Sequence, residues 1–495
     1  MKLARCVMVQ GTASSVGKSV VATALCRVLA DDGWRVAPFK AQNMSLNAAV
    51  TPDGAEIGRA QAAQAAAARV APRAVMNPIL LKPERDDRSQ LVVLGRATGS
   101  AATRDHWRGR TRLWPIVRSS LRALRREHEV VVIEGAGSPA ELNLRRFDIA
   151  NMRVAAEARA AVILVGDIER GGIFAQLLGT IDLLPAADRR RVCALLVNKL
   201  RGDRSLFEGG VRILRERSGL PVHVLPYAPD LGVPAEDSAA LVAASDGNGP
   251  EIAVVAYPHM SNHDDFEPLA AAGARVRYVR RAAELDDPDL VVLPGSKTTR
   301  SDLAWLRARG LDARIATLAA RGTPTLGICG GLQMLGRQLR DPDGVEGRAG
   351  ADDGLGLLPV RTTLERRKRT FQVRGRIGAA GLGLSAGLPF DAYEIHVGST
   401  RRDGARPFAQ LTRTPGGRRV LDGAMGASGT VVGTYAHGLF ANDELRVALL
   451  AYLARRRGRD FAPRPLPADP YVAVAAWLRA SIDVPALLES CGIAR

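Results

Sequence analysis

The chain has 495 residues, 46% of them apolar, and a formal net charge of +18. At roughly 100–200 residues per domain, this length predicts two or three domains, and the apolar share excludes bulk disorder. Only seven of the 69 basic residues are lysine and arginine is spread throughout, so the charge reads as a composition bias. Basic runs such as ERRKRT (365–370) lack interleaved aromatics, and no nucleic-acid partner is expected. No apolar run reaches the roughly 18 residues that a membrane span needs, and the start MKLARCVMVQGTASS has too short an apolar stretch for a secretion signal. No membrane partner is expected, and the expected location is cytoplasmic. The five cysteines (Cys6, Cys26, Cys193, Cys329 and Cys491) include no C-x-x-C pair, so neither a zinc knuckle nor a disulfide framework is expected.

Taken in chain order, CVMVQ (6–10), VVVIEG (130–135), AVILVGD (161–167) and CALLVNK (193–199) are short, β-branched runs that each end in a polar or glycine turn. Helical patterns lie between them, with RAQAAQAAAARV (59–70) the strongest by propensity. This is the signature of a parallel sheet with crossover helices. Residues 237–250 are small, polar and glycine-containing, and read as a linker. The pattern then restarts with IAVVAYP (252–258), DLVVLPG (289–295) and TPTLGIC (323–329). The fold class expected is α/β with two doubly wound domains, 1–236 and 251–445, followed by a helical tail over 446–495.

The stretch VMVQGTASSVGKSVVATAL follows a strand and opens a helix. Gly11, Thr12, Gly17, Lys18 and Ser19 form a phosphate-binding loop in which backbone N–H groups cradle phosphates, Lys18 reaches the terminal ones and the Ser19 hydroxyl can hold Mg²⁺. Five residues separate Gly11 from Gly17, one more than in the strict motif, a variant similar to the dethiobiotin-synthetase-like branch of such loops. Glu134, at the end of a strand in IEGAG, is a second candidate for the metal, and Glu56 a third. Lys40 is a candidate to face phosphate. Asp148, Asp167 and Asn198 lie near expected strand ends, either facing the substrate side or serving as loop caps.

In the second half, LGICGGLQML has the form of a strand turning sharply into a helix with Cys329 at the apex. The Gly330 N–H is then aimed at a developing oxyanion, and Gly295 and Ser296 in LPGSKTT can supply a second donor. A thiolate nucleophile needs a base. His437 in TYAHGLF is the first candidate, and His396 in YEIHVG is the rival, able instead to line a pocket.

These residues resemble a class I glutamine amidotransferase domain, with one departure: the orienting acid of that class stands two positions after the histidine, where this chain has Leu439. The acid is therefore either missing or supplied from elsewhere. Added to this, GTASSVGKS, PFKAQNMSLNA, EIGRAQAAQA, EGAGSPAELNL, GDIERGGIFA, NKLRGD, SNHDDFEPL and YAHGLF, in that order, resemble the cobyric acid synthase family over about residues 5–445. The resemblance implies a glutamine-dependent amidoligase with ATP and Mg²⁺ as cofactors. Its partners would be glutamine and a corrinoid substrate, adenosylcobyrinic acid a,c-diamide, amidated on its b, d, e and g carboxylates. Three other readings stand beside it: the a,c-diamide synthase with the same chemistry at other carboxylates, a partitioning-type ATPase, and a catalytically silent amidotransferase fold.

Overall fold

The computed structural model describes residues 3–85, 87–102, 105, 109–228, 231–234 and 245–494. The N-terminal half builds a six-stranded sheet from β1 (Arg5–Gly11), β2 (Val36–Phe39), β3 (Val130–Glu134), β4 (Ala161–Asp167), β5 (Val192–Leu200) and β6 (Val222–Pro226). Their spatial order is β6-β5-β4-β1-β3-β2, and every pairing is parallel. Alternation along each strand sorts the side chains into two separate cores. Val7 and Val9 pack on one face with Val21, Leu25 and Val28 of α1 (Lys18–Asp31); Cys6 and Met8 pack on the other with Leu121 and Leu124. Both faces are covered, which is why these strands read as continuous apolar runs. The register sets Val9 opposite Glu134 and Gly11 opposite Val165, so the turn after β1 opens beside the end of β3.

The C-terminal half repeats the plan with β7 (Glu251–Val255), β8 (Arg275–Val279), β9 (Leu290–Leu293), β10 (Thr325–Ile328), β11 (Ala424–Met425) and β12 (Val431–Thr434), in the order β8-β7-β9-β10-β12-β11. All pairings are parallel except β11 with β12. β10 lies between β9 and β12, so the chain leaving it meets the turns that follow both neighbours. This one adjacency brings Cys329, Gly295 and His437 together.

Two antiparallel layers were not anticipated from sequence. One is a meander of Ile79–Arg85, Arg88–Val93 and Arg96–Ala102; the other is built on the long strands Val360–Ile377 and Pro389–Arg402. They meet where Ala48, Val50, Leu80 and Val92 of the first half pack with Tyr393 and Ile395 of the second. The basic run 365–370 lies inside the longest of these strands.

The expected linker lies outside the described residues over 237–244; residues 245–250 run beside β8, where Ser245 N donates to Val276 O (3.0 Å). The expected boundary at 445 falls inside a helix, Asp443–Arg456, whose Leu445, Leu449, Leu450 and Leu453 belong to the second core. The expected tail is therefore not one unit. Its last helices, Tyr471–Ser481 and Val484–Ser490, return to the N-terminal domain, placing Val474, Leu478 and Leu487 in the core beneath α1. Arg27 with Asp469 and Arg479 with Asp32 (2.7 Å) fasten them there. Leu478 is fully buried at this seam. Leu478→Ala is expected to cost about 2–5 kcal/mol, read as a lower melting temperature of the nucleotide-side domain in calorimetry.

Candidate active site

Cys329 has φ 52° and ψ −105°, outside the regions ordinary residues occupy. The strain is held by close packing on both sides. Its N–H donates to Thr434 O (2.7 Å) on β12. The helix it opens, Gly330–Leu335, lies so near β9 that a Cβ on Gly331 would fall 1.8 Å from Leu293 O, and one on Gly330 would fall 2.8 Å from Ser296 N. Only glycine fits at either position. The Gly330 backbone and the Gly295–Ser296 turn therefore lie against each other next to Cys329. The Ser296 hydroxyl donates to Asp302 (2.6 Å), and the turn pairs antiparallel with Met260–Ser261, both of which fix its backbone.

His437 is buried beside this turn: a Cβ on Gly295 would meet its ring carbon at 3.1 Å. His437 Nδ1 bonds Asp265 Oδ2 at 2.7 Å, and Asp265 Oδ1 accepts the N–H of Gly438, also at 2.7 Å. The acid absent at Leu439 is thus supplied by Asp265, from the segment between β7 and β8. Burial alone would push the imidazole down, but the Asp265 carboxylate and the Cys329 side chain outweigh it and push it up to about 10. The imidazole is thus held in its protonated form beside Cys329. His396 is engaged differently. Its ring stacks on Tyr435 (3.8 Å between centroids), Nδ1 bonds Gly398 O (2.8 Å), and burial lowers its pKa. It lines the cavity beside Cys329.

The residues before Asp265 grip the other domain. Asn262 donates to Ala48 O (2.8 Å), the Asn47 amide donates to His263 Nε2, and Asp264 pairs with Arg59 at 2.7 Å. Asn47 also lines a second cavity of about 280 Å³, together with Ser14, Lys18, Lys40, Asn43 and Ser45. There the loop after β1 is closed by Lys18, whose Nζ donates to Ala13 O (2.8 Å), and Thr12 N donates to Val165 O (2.9 Å). Gly17 has φ +102°, and a Cβ there would meet Asn198 Nδ2 at 2.1 Å. Ser19 Oγ donates to Glu134 Oε1 (2.9 Å), which also receives Lys40 Nζ (2.7 Å). The hydroxyl and carboxylate form a hard-oxygen pair of the kind a divalent cation takes. Among the described residues no three His, Cys, Asp or Glu side chains converge as a metal site.

Residues 7–239 match the CobQ/CobB/MinD/ParA nucleotide binding domain, and residues 251–445 match the CobB/CobQ-like glutamine amidotransferase domain. The chain is 49% identical to a cobyric acid synthase of Sorangium cellulosum (strain So ce56), covering 99% of both chains. It is 48% identical to that of Moorella thermoacetica, over 93% of this chain and 91% of the other, and 47% identical to that of Dehalococcoides mccartyi strain 195, over 92% of each. The chain belongs to the cobyric acid synthase family. It joins that family's nucleotide-binding and amidotransferase parts in one polypeptide. Among the described residues, no single helix is long and apolar enough to cross a membrane.

Of the other residues expected at the nucleotide or substrate, Asn198 and Asp167 lie beside the phosphate loop. Glu56 is not at the Ser19–Glu134 pair: Lys82 (2.9 Å) and Lys368 (2.5 Å) take its two oxygens. Burial alone would raise its carboxyl, but the two ammonium groups hold it down to about 2. Asp148 is a cap, accepting from the N–H groups of Ala150, Asn151 and Arg153. Asp167 accepts from Glu169 N (3.0 Å) and Lys199 Nζ (2.8 Å). Asn198 braces the phosphate loop from behind, donating to Val16 O at 2.9 Å. None of these three lines the 280 Å³ cavity.

Replacing Asp265 by Asn removes the charge that outweighs burial at His437, so the imidazolium beside Cys329 loses support. The rate of Cys329 alkylation by iodoacetamide at pH 7 is expected to fall about 10-fold or more, with the rise of its pH profile displaced upward. An unchanged profile would show that Asp265 does not hold the His437 proton.

Proposed function

We propose that this chain amidates the b, d, e and g carboxylates of adenosylcobyrinic acid a,c-diamide, using ATP and glutamine. The observation that carries the reading is the junction of the two cavities. Residues 43–47 line the one at the phosphate loop, while Asn47 and Ala48 hold the segment that brings Asp265 to His437.

Cys329 Sγ attacks the side-chain amide carbon of glutamine. The Gly330 N–H and the Gly295–Ser296 turn stabilise the oxyanion, and His437 delivers its proton to the departing nitrogen. Ammonia leaves, the thioester is hydrolysed to glutamate, and the thiolate–imidazolium pair is restored. Asp265 keeps the imidazole in one tautomer and orientation throughout.

At the other cavity a corrinoid carboxylate is too poor an electrophile to take ammonia directly. Phosphoryl transfer from ATP converts it to an acyl phosphate, and ammonia displaces the phosphate. Lys18, the phosphate-loop N–H groups and Lys40 offset the developing charge. Ser19 and Glu134 are the residues that would hold Mg²⁺, which supplies further charge neutralisation at the phosphates. Ammonia reacts only when unprotonated, so a route within the docked domains protects it from bulk water.

Incubation with adenosylcobyrinic acid a,c-diamide, ATP, Mg²⁺ and glutamine is expected to yield four successive losses of about 1 Da, read by mass spectrometry, as each OH becomes NH₂. Cys329→Ser is expected to lower glutamine-driven amidation by about a thousandfold or more while ammonium chloride still drives it. No mass change on this substrate with either nitrogen source overturns the proposal.

A further inference from the structure

Lysine is scarce in this chain, and its placement is selective. Of the six described lysines, Lys18 closes the phosphate loop on Ala13 O, Lys40 sits on Glu134, and Lys199 bonds Ser15 O and Asp167 beside the same loop. The other three, Lys82, Lys297 and Lys368, all line the cavity that contains Cys329, Ser296 and Gln333. Arginine carries the rest of the chain's positive charge. Lysine is the compact, point-like cation of the two and suits a tight, nearly closed site.

The charges in that cavity are not paired one to one. Lys82 and Lys368 share one carboxylate, Glu56, while Lys297 pairs with Glu84 at 2.9 Å. Three ammonium groups thus face two carboxylates, with side-chain exposures of 4% for Lys82 and 14% for Lys297 and for Lys368. A buried charge without a partner is unfavourable. Burial pushes Lys368 down to about 8 despite Glu56, and the charges of Lys82 and Lys297 push in the same direction. A further carboxyl, Glu346, lines the cavity but takes part in none of the described ion pairs. The Arg300 N–H donates to it at 3.0 Å, and burial pushes it up to about 7. The cavity therefore holds three ammonium groups that share two ion-paired carboxylates, and a third carboxyl, Glu346, that feels Lys297 but makes no ion pair of its own among the described residues.

The main-chain end of an α-amino acid carries the matching pair. We propose that Lys82, Lys297 and Lys368 bind the α-carboxylate of L-glutamine and that Glu346 binds its α-ammonium, so that the side-chain amide is delivered to Cys329. The inference rests on the glutamine-hydrolysing reading above and extends it to how glutamine is recognised. It has a structural consequence. Lys82 and Glu56 come from the nucleotide-side domain, and Lys297, Lys368 and Glu346 from the amidotransferase domain. The glutamine site is then complete only when the two domains are docked.

The test is the kinetics of glutamate release and of amidation for the full chain and for Lys368→Met and Glu346→Gln. Each variant is expected to raise the KM for glutamine about 10–100-fold, the loss of one charge-assisted contact, with kcat changed far less. Ammonium chloride-driven amidation, which bypasses the glutamine cavity, should proceed at the unaltered rate and reports that the variants are folded. On the substrate side, L-glutaminamide lacks the α-carboxylate charge. The unsubstituted enzyme should discriminate against it by a similar factor, and Lys368→Met should lose most of that discrimination. Equal KM values for glutamine and glutaminamide in the unsubstituted enzyme, or an unchanged glutamine KM in both variants, would overturn the inference. Absence of amidation with ammonium chloride in the unsubstituted enzyme would instead count against the proposed function.

Discussion

The Asp265–His437 ion pair is the contact on which the chemistry of the second domain depends. Both groups are buried, and a buried charge persists only with a partner and satisfied hydrogen bonds. Asp265 meets this condition with both oxygens, one on the imidazole and one on the Gly438 N–H. The pair reverses the effect of burial on the histidine and so decides the protonation state in which Cys329 finds it. The three residues before Asp265 are bound to Ala48, Asn47 and Arg59 of the other domain. The orientation of the base in one domain is therefore anchored on the surface of its neighbour.

The same economy of placement holds at the phosphate loop. Parallel strands deliver their C-terminal ends to one edge, and that edge collects Lys18, Ser19, Glu134 and Lys40 without any long loop. Residues behind the edge brace it: Asn198 on Val16 O and Lys199 on Ser15 O hold the loop where Gly17 must take a left-handed conformation. The segment 43–48 then runs from this cavity to the domain contact, so each site borrows part of its wall or its support from an element shared with the other.

Much of this was legible in the chain because the signals are local. β-branched runs ending in glycine turns gave both parallel sheets, and Gly-Lys-Ser after a strand and Gly-x-Cys-Gly-Gly before a helix gave the two reactive loops. The long antiparallel strands were not legible. Val360–Ile377 alternates between buried and exposed positions toward its ends, but its many arginines, ERRKRT among them, hide the alternation. Lys368 within it is mostly buried, against Glu56. Asp148, Asp167 and Asn198 have the right residue types near strand ends, and sequence left both a capping and a substrate-facing reading open. Asp265 was also hidden. It lies in SNHDDFEPL, a motif recognised only as part of a resemblance, about 170 residues before the histidine it orients.

What the sequence determined by itself was therefore the set of short-range devices: two α/β sheets, the phosphate loop, the cysteine turn with its glycines, and the histidine after a strand. Each depends on neighbours a few residues apart, where backbone sterics and hydrogen bonding leave one conformation open. What only the tertiary structure decided was partnership: Asp265 with His437, Glu56 with two lysines rather than a metal, and the last helices with the first domain's core. Those pairings follow from strand adjacency and domain docking, which bring together side chains that no local pattern connects.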